Sequence, residues 1–336
     1  HLERLTGVRP SALAADRHPA YRSRRWAIEH AAGRPVHEVQ HHHAHVASTM
    51  AEHGVGAGVR VLGFAFDGTG YGDDGAAWGG ELLSADYAGY LRLAHLSYVD
   101  LPGGDAGVRN PCRMALSHLR SAGIAWTGDL PSVRACTEHE LALLDRQLER
   151  GVGCVPTSSV GRLFDAVASL AGICHRAGYD AQAAMELEAA ARAHVVTEGY
   201  RFAIGDGEPF AIDPGPVVEA VVSDVRAGVE PSLVAARFQQ AVVDVVVAAA
   251  VEARRRTGLA TATLSGGVFL NAFVTAGCAR ELEAAGFKVL RHQRVPASDA
   301  GIALGQVAVL AHRPTGLPSP VPHRRHRPPE KESPCV

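Results

Sequence analysis

Four short segments of this 336-residue sequence carry the side chains able to do chemistry together. The first is Gln40-His41-His42-His43-Ala44-His45. On a helix, positions i and i+4 lie one turn apart on one face, so His41 and His45 present their imidazoles to one metal ion, with His42 and His43 rotated away. A histidine-rich helix start with solvated rings fits the same letters. No glutamate stands between the two histidines, which excludes a zinc-protease helix. The second segment, Phe64-Ala65-Phe66-Asp67-Gly68-Thr69-Gly70, ends an apolar run on a carboxylate followed by small residues. Asp67 suits a metal or an oriented anion, and Gly68 and Thr69 let phosphate oxygens approach backbone N–H groups. An Asp-Gly hairpin turn uses the same pair. The third, Leu264-Ser265-Gly266-Gly267-Val268-Phe269-Leu270-Asn271, reads as strand, two glycines and helix. That connection leaves room and positive potential for a nucleotide at Gly266 and Gly267, and Asn271 carries both a donor and an acceptor for an adenine edge or a phosphate. Asp299, in the fourth segment Pro296-Ala297-Ser298-Asp299-Ala300-Gly301, stands at a helix entrance, where an N-cap is the ordinary use. Together His41, His45, Asp67 and Asp299 make an N/O donor set suited to iron or zinc.

The elements that must position these groups follow from periodicity and punctuation. Residues 11–15, 35–40 and 59–66 read as strands, 21–32 and 41–53 as helices. The stretch 67–75 reads as a glycine-rich hairpin turn with a long, flexible tip, returning as a strand over 77–84. From 111 to 257 the pattern is mostly helical (111–122, 137–150, 159–172, 181–194, 216–227 and 232–257), with a short strand pair around 201–212. Strands at 260–264 and 288–290 then alternate with helices at 268–285 and 301–311. Alternation at both ends around a helical insert predicts an α/β protein of two lobes with a cleft between them. The division expected is lobe one over 1–110, the insert and lobe two over 111–312, and a disordered proline-rich basic tail over 313–336.

Composition bounds the partners. Hydrophobic residues at 47% and charged residues at 20% describe a globular chain. A formal net charge of -2 argues against a broad nucleic-acid or membrane surface, which needs a basic excess. Six cysteines without a C-x-x-C pair point to a reduced, cytoplasmic setting. The longest apolar stretch, 242–251, is interrupted by Asp244 and reads as a buried helix. The chain opens at His1 in what reads as the middle of a helix, so a fragment of a longer enzyme is expected.

The motifs resemble a known family. V-Q-H-H-H-A-H-V-A-S-T-M-A-E-H-G (39–54), F-A-F-D-G-T-G-Y-G-D-D-G-A-A-W-G-G-E-L (64–82), Y-D-A-Q-A-A-M-E-L-E (179–188) and L-S-G-G-V-F-L-N (264–271) are similar to the hydrogenase maturation carbamoyltransferases, the HypF family. So are A-A-D-R-H-P-A-Y-R-S (14–23) and L-P-G-G-D-A-G-V-R-N-P-C-R-M-A (101–115). The resemblance runs collinearly to about residue 311 and covers a C-terminal transferase domain.

What the resemblance implies is an actin/Hsp70/sugar-kinase-like, threonylcarbamoyl-transferase-like fold. In that family, upstream domains make carbamoyl-adenylate from carbamoyl phosphate and ATP. A domain like this one passes the carbamoyl group to the C-terminal cysteine of a partner maturation protein, on the route to the cyanide ligand of [NiFe]-hydrogenase. Carried over by motif position, His41, His45, Asp67 and Asp299 hold a divalent metal, with His41, His45 and Asp67 at the reacting centre. Gly68, Thr69, Gly266, Gly267 and Asn271 hold the adenylate, and Asp165 and Glu186 take the ribose hydroxyls. Three places depart from the family pattern: Asn110-Pro111-Cys112-Arg113 for Glu-Pro-Trp-Arg, Asp180-Ala181 for Glu-Gly, and Ala297-Ser298 before Asp299 where asparagine is common. A small-molecule O-carbamoyltransferase shares much of the motif set, and a nucleotide- and metal-binding remnant without activity is the reading from another class.

Overall fold

The computed structural model describes residues 2–313, so the tail predicted over 313–336 lies, but for Arg313, outside the described residues. After α1 (Leu2–Thr6), β1 (Leu13–Asp16) and β2 (Val36–Val39) pair in parallel, with α2 (Arg22–Glu29) as their crossover. The chain passes directly from β2 into α3 (His41–Glu52), and Gln40 caps that helix by accepting from His43 N at 2.8 Å. Every residue from His41 to Met50 is buried. The solvated histidine helix start is therefore not what forms. The rings are inside, because α3 is packed between β3 (Val61–Tyr71) and a helix from the far end of the chain.

β3 pairs antiparallel with β4 (Ala77–Ala85), and β4 with β5 (Tyr90–Leu96). Then follow β6 (Val99–Pro102), α4 (Asp105–Arg109), α5 (Pro111–Ser121), α6 (Pro131–Arg134), α7 (Glu138–Arg150), β7 (Cys154–Thr157), α8 (Val160–Leu170) and α9 (Gln182–Ala191). The small strands β8 (Ala203–Ile204) and β9 (Phe210–Asp213) precede α10 (Gly215–Arg226) and the long α11 (Pro231–Thr257). The last part is β10 (Thr261–Ser265), a 3₁₀ turn at Gly267–Leu270, α12 (Ala272–Ala284), β11 (Lys288–Arg291), a second 3₁₀ turn at Asp299–Gly301, and α13 (Ile302–Ala311). The main sheet has the order β11-β10-β3-β4-β5-β9-β8, with β7 pairing to both β4 and β6.

The sheet separates two apolar cores. Side chains alternate across a strand, so Leu62, Phe64 and Phe66 of β3 face the large core with α5, α8 and α11. Val61 and Ala65 face the smaller core built with α3 and α13. The α/β class and a core on each face follow. The division at residue 110 does not, since β10 pairs in parallel with β3 and β9 with β5, stitching late strands to early ones. An 18-residue window of the 27-residue α11 is apolar enough in composition to span a membrane, at a mean hydropathy of 1.6, but 72% of it is buried, as in a core helix.

Three further expectations are corrected. Residues 67–71 are not a turn: β3 runs on to Tyr71, and the ladder slips between Phe66 and Gly70, bulging out Asp67, Gly68 and Thr69. A Cβ on Gly70 would stand 2.5 Å from His42 Cε1 and 2.6 Å from His41 Cδ2, so glycine here admits imidazoles rather than freeing a loop. The helix expected over 268–285 is broken, because the chain makes a 3₁₀ turn before Asn271 starts α12. β5, β6 and β7 also form where no strand was read.

Candidate metal centre and adjoining cleft

β10 ends opposite Ala65 of its parallel neighbour β3, so the Gly266-Gly267 connection leaves the sheet beside the bulge at Asp67. Gly266 has φ of +97°, and a Cβ there would meet Phe66 O at 2.2 Å, so only glycine passes. Gly267 N then donates to Asp67 Oδ1 at 3.0 Å, which turns the other carboxylate oxygen toward α3. Asp67 Oδ2 lies 3.1 Å from His41 Nε2 and 3.4 Å from His45 Nε2. Asp299 Oδ1, from the turn before α13, lies 3.4 Å and 3.3 Å from the same two nitrogens. One ligand atom from each of the four residues falls within 4.8 Å of all the others. The three groups on α3 and β3 are buried, while the Asp299 side chain is 56% exposed and opens the centre to solvent.

The buried pair of histidines is oriented from behind. His41 Nδ1 lies 2.7 Å from Asp16 Oδ2, a carboxylate that is itself only 4% exposed. This bond holds Nδ1–H and leaves Nε2 for the centre, the usual way a carboxylate sets a ligand's tautomer. His45 Nδ1 lies 3.3 Å from Ser265 Oγ, which is 3.0 Å from His292 Nε2, and His292 Nδ1 is 2.8 Å from Glu52 Oε2. His45 Nε2 is buried with no hydrogen-bond partner. The donor set, two imidazoles and two carboxylates with an orphaned ring nitrogen among them, fits a divalent cation of the iron or zinc type.

Charge at the centre is arranged for a cation. Burial disfavours a charged His41, yet its contacts with Asp16, Asp299 and Asp67 outweigh burial and hold it well above the ordinary histidine range. His45 is raised in the same way, against its burial, by Asp299 and Asp67. Burial works against the Asp67 carboxylate, but His41 and His45 keep it well below the usual carboxylate range, and Asp299 is held down to about 2. Protons shared by this cluster are the ones that an entering cation would have to displace. His42 differs: burial pushes it well below its usual range, so it stays a neutral ring against Trp78.

A cleft of ≈ 610 Å³ opens beside the centre. Asp67, Gly68, Thr69, Gly267, Asn271 and Asp299 all line it. Asn271, expected to offer its amide to a nucleotide, has that amide occupied: Oδ1 accepts from Val274 N at 3.0 Å, capping α12, and Nδ2 donates to Gln239 Oε1 at 3.0 Å. Asp165 does not line the cleft. It is buried one turn along α8 beside Arg162, at 3.0 Å, and burial pushes its carboxyl up to about 6. Glu186 points elsewhere on α9 and accepts from Gln182 Nε2 at 2.7 Å. Beside Asp67 and Asp299, the carboxylates on the cleft wall are Asp180 and Glu188, the latter two residues on from Glu186 and so on another face of α9. Asp16 and Arg162 were also missed as site residues. Asp16 was visible only as part of A-A-D-R-H-P-A-Y-R-S, with nothing local to tie it to a histidine 25 residues on.

The departures from the family pattern fall in different places. Ala181 stands in the left-handed region, φ +59°, at the start of α9, where glycine costs least. Asn110 lies at the junction of α4 and α5, bonded to Ala106 O and to Arg176, and is not on the cleft wall. Cys112 follows it as a buried thiol, and all five described cysteines are free.

Comparison with known proteins bears on the family and the fold. The family model for the carbamoyltransferase Kae1-like domain, second subdomain, matches residues 63–306, and that for the HypF Kae1-like domain matches residues 1–52. The chain is 37% identical to carbamoyltransferase HypF2 of Cupriavidus necator, over 93% of this chain and 41% of that one. It is 36% identical to a carbamoyltransferase HypF homolog of the same organism, over 97% and 83% respectively. A full-length HypF crystallised in a phosphate- and nucleotide-bound form superposes with a TM-score of 0.85 at 35% identity, over 92% of this chain and 48% of that one. T. kodakarensis HypF superposes at 0.78 and 29% identity, over 89% and 40%. The chain thus spans 41% of the length of HypF2 and 83% of the shorter homolog. It belongs to the HypF carbamoyltransferase family, matching that family's Kae1-like region from one end of the fold to the other.

Proposed function

We propose that this chain transfers a carbamoyl group from carbamoyl-adenylate to the C-terminal cysteine of a partner protein in [NiFe]-hydrogenase maturation, the group that later becomes cyanide. The observation that carries this reading is the convergence of His41, His45, Asp67 and Asp299 at the edge of a cleft large enough for a nucleotide. An iron or zinc ion bound there would supply Lewis-acid polarisation of the phosphate or carbamoyl oxygen. Gly267 lines the cleft on the β10 side of Asp67, where the adenylate's phosphate is drawn in, and Gly266 packs behind it on Phe66. Gly68 and Thr69 border it from the bulge, and Asn271 shapes the wall through its backbone and position rather than a free amide. Asp180 and Glu188 are the candidates for the ribose hydroxyls, in place of Asp165 and Glu186.

In the step itself the acceptor thiol, having lost its proton to solvent, attacks the carbamoyl carbon. A C–S bond forms and the bond from that carbon to the phosphate oxygen breaks, so AMP leaves with the electron pair. The setting is the reducing cytoplasm, in keeping with the free cysteines.

The test is mass spectrometry of a peptide ending in cysteine, incubated with the chain, iron or zinc, and carbamoyl-adenylate. The expected result is a peptide heavier by one carbamoyl group, with one AMP released for each. AMP release with an unmodified peptide would mark a hydrolase instead. A folded chain that turns over nothing would remove the transfer reading.

A further inference from the structure

Two thiols stand against each other away from the metal centre. Cys112, in one of the segments that depart from the family pattern, lies on the first turn of α5 and is 1% exposed. Cys136, between α6 and α7, is only partly buried. The Cys136 thiol donates a hydrogen bond to Cys112. Arg176 ties the two segments together. Its Nη1 donates to Asn110 Oδ1 at 2.7 Å, just before Cys112, and its Nη2 to Ala135 O at 3.2 Å, next to Cys136. Glu140, on the first turn of α7, accepts from the same guanidinium at 3.0 Å. The hydrogen bond from Cys136, with the charge of Arg176, holds Cys112 down to about 7 against its burial, so one sulfur of the pair has thiolate character near neutral pH. Cys174, on the neighbouring segment, gives its S–H to Arg176 O at 3.6 Å instead.

The pair adjoins the cleft through one stretch of chain. Cys112 N donates to His175 O at 3.3 Å and Ala177 N to Arg109 O at 2.9 Å, so residues 175–177 run along the junction of α4 and α5. That stretch continues to Asp180 and Ala181 on the cleft wall, which Val108 of α4 also lines. We propose that Cys112 and Cys136 form a reversible disulfide, a modification site whose closure displaces residues 175–177 and weakens nucleotide binding in the cleft. Disulfide sulfurs stand at about 2.05 Å, well inside hydrogen-bonding distance, so α5 and Cys136 must shift toward each other as the bond closes. The oxidant is hydrogen peroxide, small enough to enter past Cys136. The thiolate attacks one peroxide oxygen: an S–O bond forms, the O–O bond breaks, and the leaving hydroxide takes a proton from solvent. The second thiol then attacks that sulfur, so that the S–S bond forms and the S–O bond breaks, and its proton leaves on the oxygen as water. Two electrons pass from the sulfurs to the peroxide, and a small-molecule thiol returns them by exchange. The effect on the nucleotide rests on the function proposed above; the disulfide itself does not.

The experiment treats the chain and its Cys136→Ser variant with hydrogen peroxide, maps cysteine pairs by mass spectrometry of non-reduced digests, and measures AMP affinity by calorimetry before and after. Wild type is expected to yield a cross-linked Cys112–Cys136 peptide, lost on adding dithiothreitol, and to bind AMP on the order of 10-fold more weakly while oxidised. Cys136→Ser should bind AMP like the reduced wild type, with or without peroxide. By linkage, saturating AMP should make the pair easier to reduce by the same factor, raising its midpoint potential by about 30 mV in a glutathione titration. Absence of the Cys112–Cys136 peptide, or another partner for Cys112, would overturn the inference. So would an oxidised wild type that binds AMP as tightly as the reduced one. A cross-linked chain that binds no AMP in either state would count against the nucleotide reading and strike the effect on binding, while keeping the disulfide.

Discussion

His45→Ala is expected to strip the metal from the centre and to lower carbamoyl transfer by on the order of 10³-fold, the loss seen when a main source of transition-state charge stabilisation goes. The fold should stand. His45 Nε2 makes no hydrogen bond, and its Nδ1 has a single long contact to Ser265 Oγ at 3.3 Å, which can turn wholly to His292. His41→Ala should also lose the metal, but at a further cost. Asp16 would be left buried without the imidazole that faces it at 2.7 Å, and breaking a buried pair costs roughly 3 kcal/mol or more. Metal content by elemental analysis, beside a thermal melt, separates the two effects. Stoichiometric metal retained in folded His45→Ala would show that the centre lies elsewhere.

Gly305→Ala is expected to be the most damaging methyl group that can be added to this fold. A Cβ at 305 would stand 1.8 Å from Ala44 O and 2.7 Å from Ser48 N, both backbone atoms of α3. Backbone cannot rotate aside, so α13 must lift from α3, breaking the bond from Ser48 Oγ to Gly301 O at 2.9 Å. Overpacking of this kind costs about 3 kcal/mol. For a chain of this size the melting midpoint should fall by roughly 5–10 °C. Because α3 bears His41 and His45, and Asp299 immediately precedes α13, metal affinity should fall with it. Gly89→Ala, at a position with nothing within 4 Å of the added carbon, is the control and should melt like wild type. Equal melting of Gly305→Ala would show that α13 does not pack on α3 as described.

The parts of the site legible in the sequence were those written in local spacing. A His-x-x-x-His pair needs only a helix to share a face, and a carboxylate closing an apolar strand needs only the strand to end there. Asp67 and Asp299 come to that face because β3 is parallel to β10 and α13 returns onto α3, pairings that no local pattern encodes. Asp67 to Tyr71 has the letters of a turn, but two imidazole rings occupy the space that Gly70 leaves, and the strand continues. Asn271 has the letters of a ligand, but Gln239 from α11 takes its donor. Asp165 and Glu186 were placed by motif alone, while helix phase sends one into the core beside Arg162 and the other along α9. Tertiary neighbours far along the chain decided the first two of these, and neighbours on the same helix the other two. The lobe boundary at 110 failed because strand partners are drawn from both sides of it.

In the proposed site, one cation and one nucleotide meet between α3, the bulge of β3 and the turn before α13. The most direct measurement is anomalous diffraction at the metal edge from crystals grown with iron or zinc and AMP. One strong anomalous peak is expected, enclosed by His41 Nε2, His45 Nε2, Asp67 and Asp299, with the AMP phosphate beside it at Gly267. A peak held by other residues, or AMP bound outside the cleft, would contradict it.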